Sequence, residues 1–272
     1  MSENVEAKLT EKALDEILED ILQKGLIFCA EKGHGKTDAC KHIVRRFIKT
    51  RPDVRINIFD TCLNWRHTYD KIPYMEMRTV IDTVPDVPHI IVDVPFPSAH
   101  DTRTAISSAV IKDFNIKCEL KKVSLDLPYW DLYVIEEIQN VFGSWAISGL
   151  EGEFWKKEVS EGRNWKQSYL GLGQRLADID AKIVERCKGY MFGRLVGDNN
   201  MQKVRRIVGK NGNNVVEAIK VLGIGQFIFY SGDKVTQFNF PKWESTEKPY
   251  QYIEKLDASK ITTKDLSWLL KR

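Results

Sequence analysis

The stretch LIFCAEKGHGKTDACKHIVRRF, residues 26–47, decides the fold of this 272-residue chain. It opens with an unbroken apolar run that ends at Ala30, continues through a loop of glycines and charged residues, and takes on a helical pattern from Lys36. A buried strand, a glycine-rich loop and a helix in this order are typical of a parallel sheet with crossover helices. The stretch therefore predicts an α/β domain, and its loop is the first candidate site.

The loop fits seven of the eight positions of the phosphate-binding pattern G-x-x-x-x-G-K-[ST]. Its residues are Ala30, Glu31, Lys32, Gly33, His34, Gly35, Lys36 and Thr37. The two glycines let backbone N–H groups turn toward an anion, the lysine reaches the β- and γ-phosphates, and the threonine hydroxyl meets Mg²⁺. The loop thus predicts binding of ATP and Mg²⁺.

Two of these loop positions leave questions open. Alanine replaces the first glycine of the pattern, and a positive φ would strain it there. A glycine-rich turn with a chance match therefore stays open as the alternative. His34 has no role in phosphate binding, so we expect a solvent-exposed loop residue.

Apolar runs and helical patterns alternate through the rest of the chain. We expect strands in the ranges 26–30, 54–60, 89–94, 131–137, 168–174 and 190–195, with helices between them, and a hairpin over 226–240 that turns at Ser231-Gly232-Asp233. The pattern predicts an α/β fold with a mostly parallel central sheet flanked by helices and a C-terminal β-hairpin. The expected organisation is an acidic amphipathic helix over 1–24, an ATPase core over 25–240 and a tail over 241–272.

Composition narrows the setting. The five cysteines form no CxxC pair, which indicates reduced thiols. The chain has no apolar stretch of about 18 residues and no apolar signal core at its acidic start. We therefore expect a cytoplasmic protein without membrane insertion. A net charge of +3 is compatible with nucleic acid and does not demand it. The tail sequence TTKDLSWLLKR predicts a short helix that carries Leu266, Trp268, Leu269 and Leu270.

Three predicted strands end in acids that are suited to a metal–nucleotide site. They end at Asp60, at Asp93 and at the pair Glu136-Glu137. We favour the pair because one carboxylate can orient a Mg²⁺-bound water while the next polarises the attacking water. The alternative for each acid is an ordinary cap of a turn, and it carries more weight for the two single acids. The following strand ends in Gln174, where a polar side chain can sense the γ-phosphate; an ordinary polar turn residue is the alternative.

The order of these motifs resembles the HerA/FtsK group of DNA-pumping ATPases, which includes viral genome-packaging and plasmid-transfer enzymes. The resemblance covers about residues 25–230 and rests on the loop, on LYVIEE, and on EGRNWKQSYLGLGQRLADIDAKIVERCKGYMFGRL. It implies a RecA-like P-loop fold and ATP hydrolysis that is coupled to movement of double-stranded DNA. It further implies a homo-oligomeric ring of six subunits, with ATP bound between them and completed by a neighbour's arginine. Arg163 is the first choice for that arginine and Arg194 the second, and for either one an ordinary surface salt bridge is the alternative.

Two other functions stay open at this stage. An AAA+-type replication initiator or loader would share the loop and the acids, but it normally adds a helical lid, and a hairpin follows the helical region 199–222 instead. A nucleotide-dependent switch or scaffold would bind ATP without turning it over. For a DNA-contacting surface, the basic stretch MQKVRRIVGK (201–210) is favoured over KHIVRRFIK (41–49), whose charges fit the solvated face of the loop's helix.

Overall fold

The computed structural model describes residues 2–65, 68–69, 72–78, 87–123, 126–144, 149–232, 234–244 and 262–265. The strands among these residues are β1 (Leu26–Cys29), β2 (Val54–Asp60), β3 (Tyr74–Glu76), β4 (His89–Asp93), β5 (Trp130–Ile135), β6 (Gln167–Gly173), β7 (Tyr190–Phe192), β8 (Gln226–Tyr230), β9 (Val235–Asn239) and β10 (Thr262–Asp265). The helices are α1 (Ser2–Lys24), α2 (Lys36–Thr50), α3 (Ala99–Val123), α4 (Gln139–Phe142), α5 (Gly149–Glu161), α6 (Ala181–Arg186), α7 (Asp198–Val208) and α8 (Gly212–Lys220).

The described strands form one open sheet in the order β10-β9-β8-β7-β1-β6-β5-β2-β4-β3. The part from β7 to β3 is parallel, and the three strands beyond β7 pair antiparallel. This confirms the expected fold class, with β8 and β9 as the C-terminal hairpin. Strand β6 lies between β1 and β5, so the carboxyl ends of the strands that carry the loop, Gln174 and the acid pair all meet at one edge.

Both faces of the parallel part are covered, which explains the unbroken apolar runs of its strands. On β1, Leu26 and Phe28 join a buried cluster with α1 and α2, whereas Ile27 and Cys29 join a second cluster with α3 and α5–α8. Successive residues of a strand point to opposite faces, so each strand contributes to both clusters. The loop and α2 are thereby held on the first face.

Helix α1 packs on the body of the domain. Its buried stripe is Leu14, Ile17, Leu18, Ile21 and Leu22. Arg46 of α2 forms a bidentate pair with Asp15, with both N–O distances 2.8 Å. The acids of this helix therefore bind the basic side of α2 within the chain.

The two outermost strands of the described sheet differ from expectation. The edge strand β3 was not predicted because it is only three residues long and partly exposed. At the other edge, Thr262–Asp265 pairs with β9 as a strand, so these residues do not start the helix that we expected. Leu266, Trp268, Leu269 and Leu270 lie outside the described residues, as does Asp233 of the predicted turn.

A cluster of buried charges lies near the amino ends of β2 and β5, opposite the loop. Arg55 pairs with Asp131 and Asp113, and Lys117 Nζ lies 2.7 Å from Asp131 Oδ2. Glu158 of α5 is buried nearby, and burial raises its pKa to about 8. Its Oε1 atom has no hydrogen-bond partner. The ion pairs fix α3 to the sheet, and the cluster takes no part in the candidate site.

None of the helices in the described part of the chain combines the length and the apolar character that crossing a bilayer requires.

Candidate active site

The loop between β1 and α2 has the geometry of an anion-binding turn. Gly33 and Gly35 have φ angles of 77° and 82°, in the left-handed region that favours glycine. Helix α2 starts directly after Gly35, so the unpaired N–H groups of its first turn lie at the loop. Lys32 and Gly33 are exposed at the tip, and Lys36 and Thr37 are half-buried. The arrangement can hold a phosphate group.

Alanine is tolerated at the first position of the pattern. The described non-glycine residues with positive φ are Leu63, Glu137 and Lys166, so Ala30 carries no such strain. Ala30 is fully buried, and its N–H donates to the carbonyl of Gly173 over 3.2 Å. The replacement therefore does not count against a phosphate-binding loop.

The expected exposure of His34 is wrong, because the side chain is buried. Its Nε2 atom accepts a hydrogen bond from the backbone N–H of Arg194 over 3.2 Å, and its carbonyl accepts one from Gly225 over 3.0 Å. Its ring meets Phe227 edge-on at 5.6 Å between centroids. Burial lowers the pKa of the imidazole, and the neutral ring is what the Nε2 acceptor role requires. His34 therefore fixes the loop to β7 and to the hairpin.

Glu136 directly follows β5 and meets the loop's threonine. Thr37 Oγ1 donates to Glu136 Oε1 over 3.2 Å. The indole Nε1 of Trp65 donates to the same oxygen over 3.0 Å. Burial raises the pKa of Glu136, and the Trp65 hydrogen bond opposes that shift. A hydroxyl and a carboxylate side by side are hard oxygen ligands of the kind that Mg²⁺ prefers, so this pair fits the metal that the sequence predicts.

Glu137 is held by two amide side chains. Gln174 Nε2 donates to Glu137 Oε1 over 2.8 Å, and Gln139 Nε2 donates to Oε2. Its φ of 50° is in the left-handed region, which is unusual for a residue with a side chain. The structure thus brings together Glu137 and Gln174. Gln139 was missed because a glutamine four residues after a strand carries no signal by itself.

Asp60 caps a turn, which was its alternative interpretation, whereas Asp93 bonds a side chain of the neighbouring strand. Asp60 accepts hydrogen bonds from the backbone N–H groups of Cys62, Asn64 and Trp65. Asp93 Oδ2 accepts from the hydroxyl of Tyr74 over 2.6 Å. Cys62 is a further candidate metal ligand that was not predicted, because its Sγ and one oxygen each of Glu136 and Glu137 lie within 4.8 Å of one another.

The two predicted arginines lie at different places. Arg194 follows β7 and lies beside the loop of its own chain, with Nε 3.4 Å from Glu31 Oε2 and half of its side chain exposed. Arg163 is exposed in a 3₁₀ turn, Gly162–Trp165, that precedes β6. The loop follows β1, which is parallel to β6. Arg163 therefore lies at the opposite edge of the sheet from its own loop.

A cavity of about 380 Å³ opens beside the loop on the side away from Glu136. Its far wall consists of Ile224, Gly225 and residues 240–242. The N–H of Phe240 donates to the carbonyl of Gly225 over 2.8 Å, and Pro241 O lies 3.2 Å from the Nε2 of His42 on α2. The guanidinium of Arg45 stacks on Trp243 at 3.8 Å. The wall is therefore fixed both to the hairpin and to α2.

Comparison with known proteins identifies the fold. No protein-family model matches the chain, and no curated protein sequence matches it. The genome packaging NTPase B204 of Sulfolobus turreted icosahedral virus 2, in complex with ATP-gammaS, is similar over 76% of this chain and 91% of its own, with a TM-score of 0.57 and 15% identity. VirB4 of Thermoanaerobacter pseudethanolicus is similar over 82% and 89%, with a TM-score of 0.61 and 9% identity.

The pCW3 conjugation coupling protein TcpA is similar over 79% of this chain and 59% of its own, with a TM-score of 0.51 and 13% identity. These structures have the RecA-like P-loop fold. The chain therefore has a RecA-like P-loop fold, as the resemblance in motif order implies. At such low identity the likeness concerns the fold alone.

Proposed function

We propose that this chain is an ATPase that moves double-stranded DNA, of the HerA/FtsK type, and that it works as a ring of identical subunits, six by the family pattern. The observation that carries the proposal is the meeting of two separate motifs. Thr37 of the loop bonds Glu136, and the next residue, Glu137, is held by Gln174. A chance glycine turn after β1 would lie near the same strand ends, but it would not require a hydroxyl hydrogen-bonded to one carboxylate and an amide hydrogen-bonded to the next.

The geometry orients the nucleotide. The carboxylates and Gln174 lie on the β5–β6 side of the loop, whereas the cavity opens on the side of the hairpin. We therefore place the γ-phosphate near Glu137 and the nucleoside in the cavity, against Ile224 and residues 240–242. Lys36 lies where it can neutralise phosphate charge. Bound Mg²⁺, held through Thr37 and Glu136, would supply further positive charge at the phosphates.

The proposed reaction is attack of water on the γ-phosphorus. The bond from that phosphorus to the β–γ bridging oxygen breaks, giving ADP and phosphate, and Glu137 accepts a proton from the attacking water. The two amides on Glu137 fix its carboxylate before the substrate binds. Fixed hydrogen-bonding groups of this kind lower the reorganisation that the reaction needs.

The two arginines divide between two roles. Arg163 lies at the far edge from its own loop and is exposed, which supports a role in the site of a neighbouring subunit rather than in its own. Arg194 lies at its own loop beside Glu31, which fits a role within the same site. We assign Arg163 as the arginine supplied between subunits, where it would stabilise charge on the transferring phosphoryl group.

The DNA-contacting surface is assigned to α7 and the turn that follows it. Arg205, Arg206 and Lys210 are exposed there. Lys203 is excluded, because its Nζ donates to the carbonyls of Leu176 and Ala177. Contacts of this type would bind the phosphate backbone without sequence preference and weaken as salt increases.

The AAA+ alternative requires a separate helical lid after the core. Helices α7 and α8 instead bury Val204, Val215 and Ile219 in the second cluster, the one that also contains α3, and β8 then returns to the same sheet. Within the described residues the chain therefore shows no helical subdomain of that kind. The non-hydrolysing switch is the alternative that the experiment must address.

Steady-state ATP hydrolysis, with and without long double-stranded DNA, tests the proposal. We expect turnover that DNA stimulates and that Lys36→Ala and Glu137→Gln abolish. Lys32→Ala is the matched control, because it removes an equal charge from the exposed tip of the loop. Nucleotide binding without turnover under any condition would select the switch. Turnover that survives Lys36→Ala would refute the assigned site.

A further inference from the structure

Residues 60–65, here called the brace, form a short turn that follows β2. The turn lies on the face of the sheet that α1 and α2 cover, and it ends beside the candidate site. Asp60 is fully buried at the end of β2. Its Oδ1 accepts the N–H groups of Cys62 and Asn64 over 3.2 and 3.0 Å, and its Oδ2 accepts that of Trp65 over 2.8 Å. Hydrogen bonds to a charged acceptor are stronger than neutral ones, so one carboxylate fixes the whole turn.

The brace is also held from α2. Lys41 Nζ donates to the carbonyl of Asn64 over 2.7 Å and lies 5.7 Å from the centre of the Trp65 ring. Trp65 itself is completely buried, in the cluster that contains α1 and α2. A side chain that is packed and anchored at both ends of its turn has one available position.

That position presents the indole N–H to Glu136. Trp65 Nε1 lies 3.0 Å from Glu136 Oε1, the same oxygen that accepts the hydroxyl of Thr37 over 3.2 Å. Glutamate has one more rotatable bond than the aspartate that is common at this place in P-loop enzymes, so its carboxylate needs an additional restraint to keep one geometry. The indole supplies it.

We propose that Trp65 is the positioning residue that holds the Glu136 carboxylate toward the metal side of the nucleotide site, with Asp60 fixing the turn that delivers it. The inference rests on the proposed function, because it assigns Glu136 to bound Mg²⁺. It explains why a long acid serves at this strand end. It also gives the capping role of Asp60 a consequence for the reaction.

Trp65→Phe tests the role, because it removes the N–H and keeps an aromatic ring in the cluster. Trp155→Phe is the matched control, since Trp155 is also fully buried and its Nε1 donates to Ser107 Oγ over 2.8 Å in the other cluster. We expect both variants to lose stability. Trp65→Phe alone should raise, by about tenfold, the Mg²⁺ concentration needed for half-maximal binding of a non-hydrolysable ATP analogue. Analogue binding without Mg²⁺ should stay unchanged.

A second measurement uses the protein without nucleotide or metal. Urea unfolding of Trp65→Phe, Glu136→Leu and the double variant forms a cycle that isolates the indole–carboxylate interaction. We expect the unfolding equilibrium constants to be non-additive by about five- to tenfold. The cycle of Trp155→Phe with Glu136→Leu should be additive.

The outcomes separate the two proposals. Additive unfolding for Trp65 and Glu136, or a Mg²⁺ dependence of Trp65→Phe equal to that of Trp155→Phe, would overturn the positioning role and leave the ATPase proposal standing. A wild-type chain that binds no nucleotide even with Mg²⁺ would overturn both.

Discussion

Replacing Glu137 by glycine or by alanine should abolish hydrolysis, and the glycine variant should be the more stable of the two. The φ of Glu137 is 50°, in a region that costs a residue with a Cβ about 1–2 kcal/mol. Alanine keeps this cost and glycine removes it, while both variants lose the carboxylate and its bonds to Gln174 and Gln139. Glycine gives back part of the gain through the greater freedom of its unfolded chain, about 0.5–1 kcal/mol. Glu137→Gly should therefore be about 1 kcal/mol more stable than Glu137→Ala.

The assay is urea unfolding of the two variants together with steady-state ATP hydrolysis. Both variants should lose turnover by about 10²- to 10⁴-fold, the usual contribution of a general base. Glu137→Gln keeps the backbone strain and serves as the charge control, with turnover lost to a similar degree. Equal stability of the glycine and alanine variants would refute the backbone argument. Near-normal turnover in any of the three would refute the role of Glu137 as the base.

Three further predictions concern the cavity, the loop and the buried charges. Ile224→Ala should weaken binding of ATP and of GTP by similar factors of about three to ten, because the cavity wall offers apolar contact to the nucleoside. The control is Val221→Ala, at a similarly exposed residue outside the cavity, which should leave both affinities unchanged in the same titration. An equal effect of the two substitutions would contradict the placement of the nucleoside. His34 has a lowered pKa, so its imidazole takes up a proton at higher pH in the unfolded chain than in the folded one, and the free energy of unfolding should fall as pH drops below about 6.5. Urea unfolding should show a smaller fall for His34→Gln. A pH dependence equal to that of the wild type would count against the role of the neutral ring. Glu158 has a pKa of about 8, so its carboxyl loses a proton at lower pH in the unfolded chain than in the folded one, and the free energy of unfolding should decline as pH rises from about 4.5 to 8. Glu158→Gln cannot ionise, so its stability relative to the wild type should be greater at pH 8 than at pH 5. An equal difference between the two proteins at both pH values would contradict the raised pKa.

The sequence predicted the principal chemistry of the site because that chemistry is local to strand ends. Lys36 and Thr37 follow one buried strand, and Glu136 and Glu137 follow another. In a parallel sheet such ends meet at one edge, so their proximity follows from the fold class alone. The contact between Thr37 and Glu136 and that between Gln174 and Glu137 are the results of this rule.

Other features needed the tertiary structure because their partners are distant in the chain and follow no period. The burial of His34 depends on Arg194 and Phe227, and the hydrogen bond of Trp65 depends on Glu136. Edge strands β3 and β10 are short and receive their pairing from neighbours. None of these contacts leaves a pattern in the residues themselves.

The sequence by itself thus determined the central strands of the sheet, the glycine-rich loop after β1 and the position of the acid pair, because apolar periodicity and glycine conformation act over a few neighbouring residues. Only the tertiary structure decided which acids cap turns, which edge each arginine occupies and which side chains hold Glu136 and Glu137. Those outcomes depend on how the helices and turns pack across the sheet, and packing is a property of the whole folded chain.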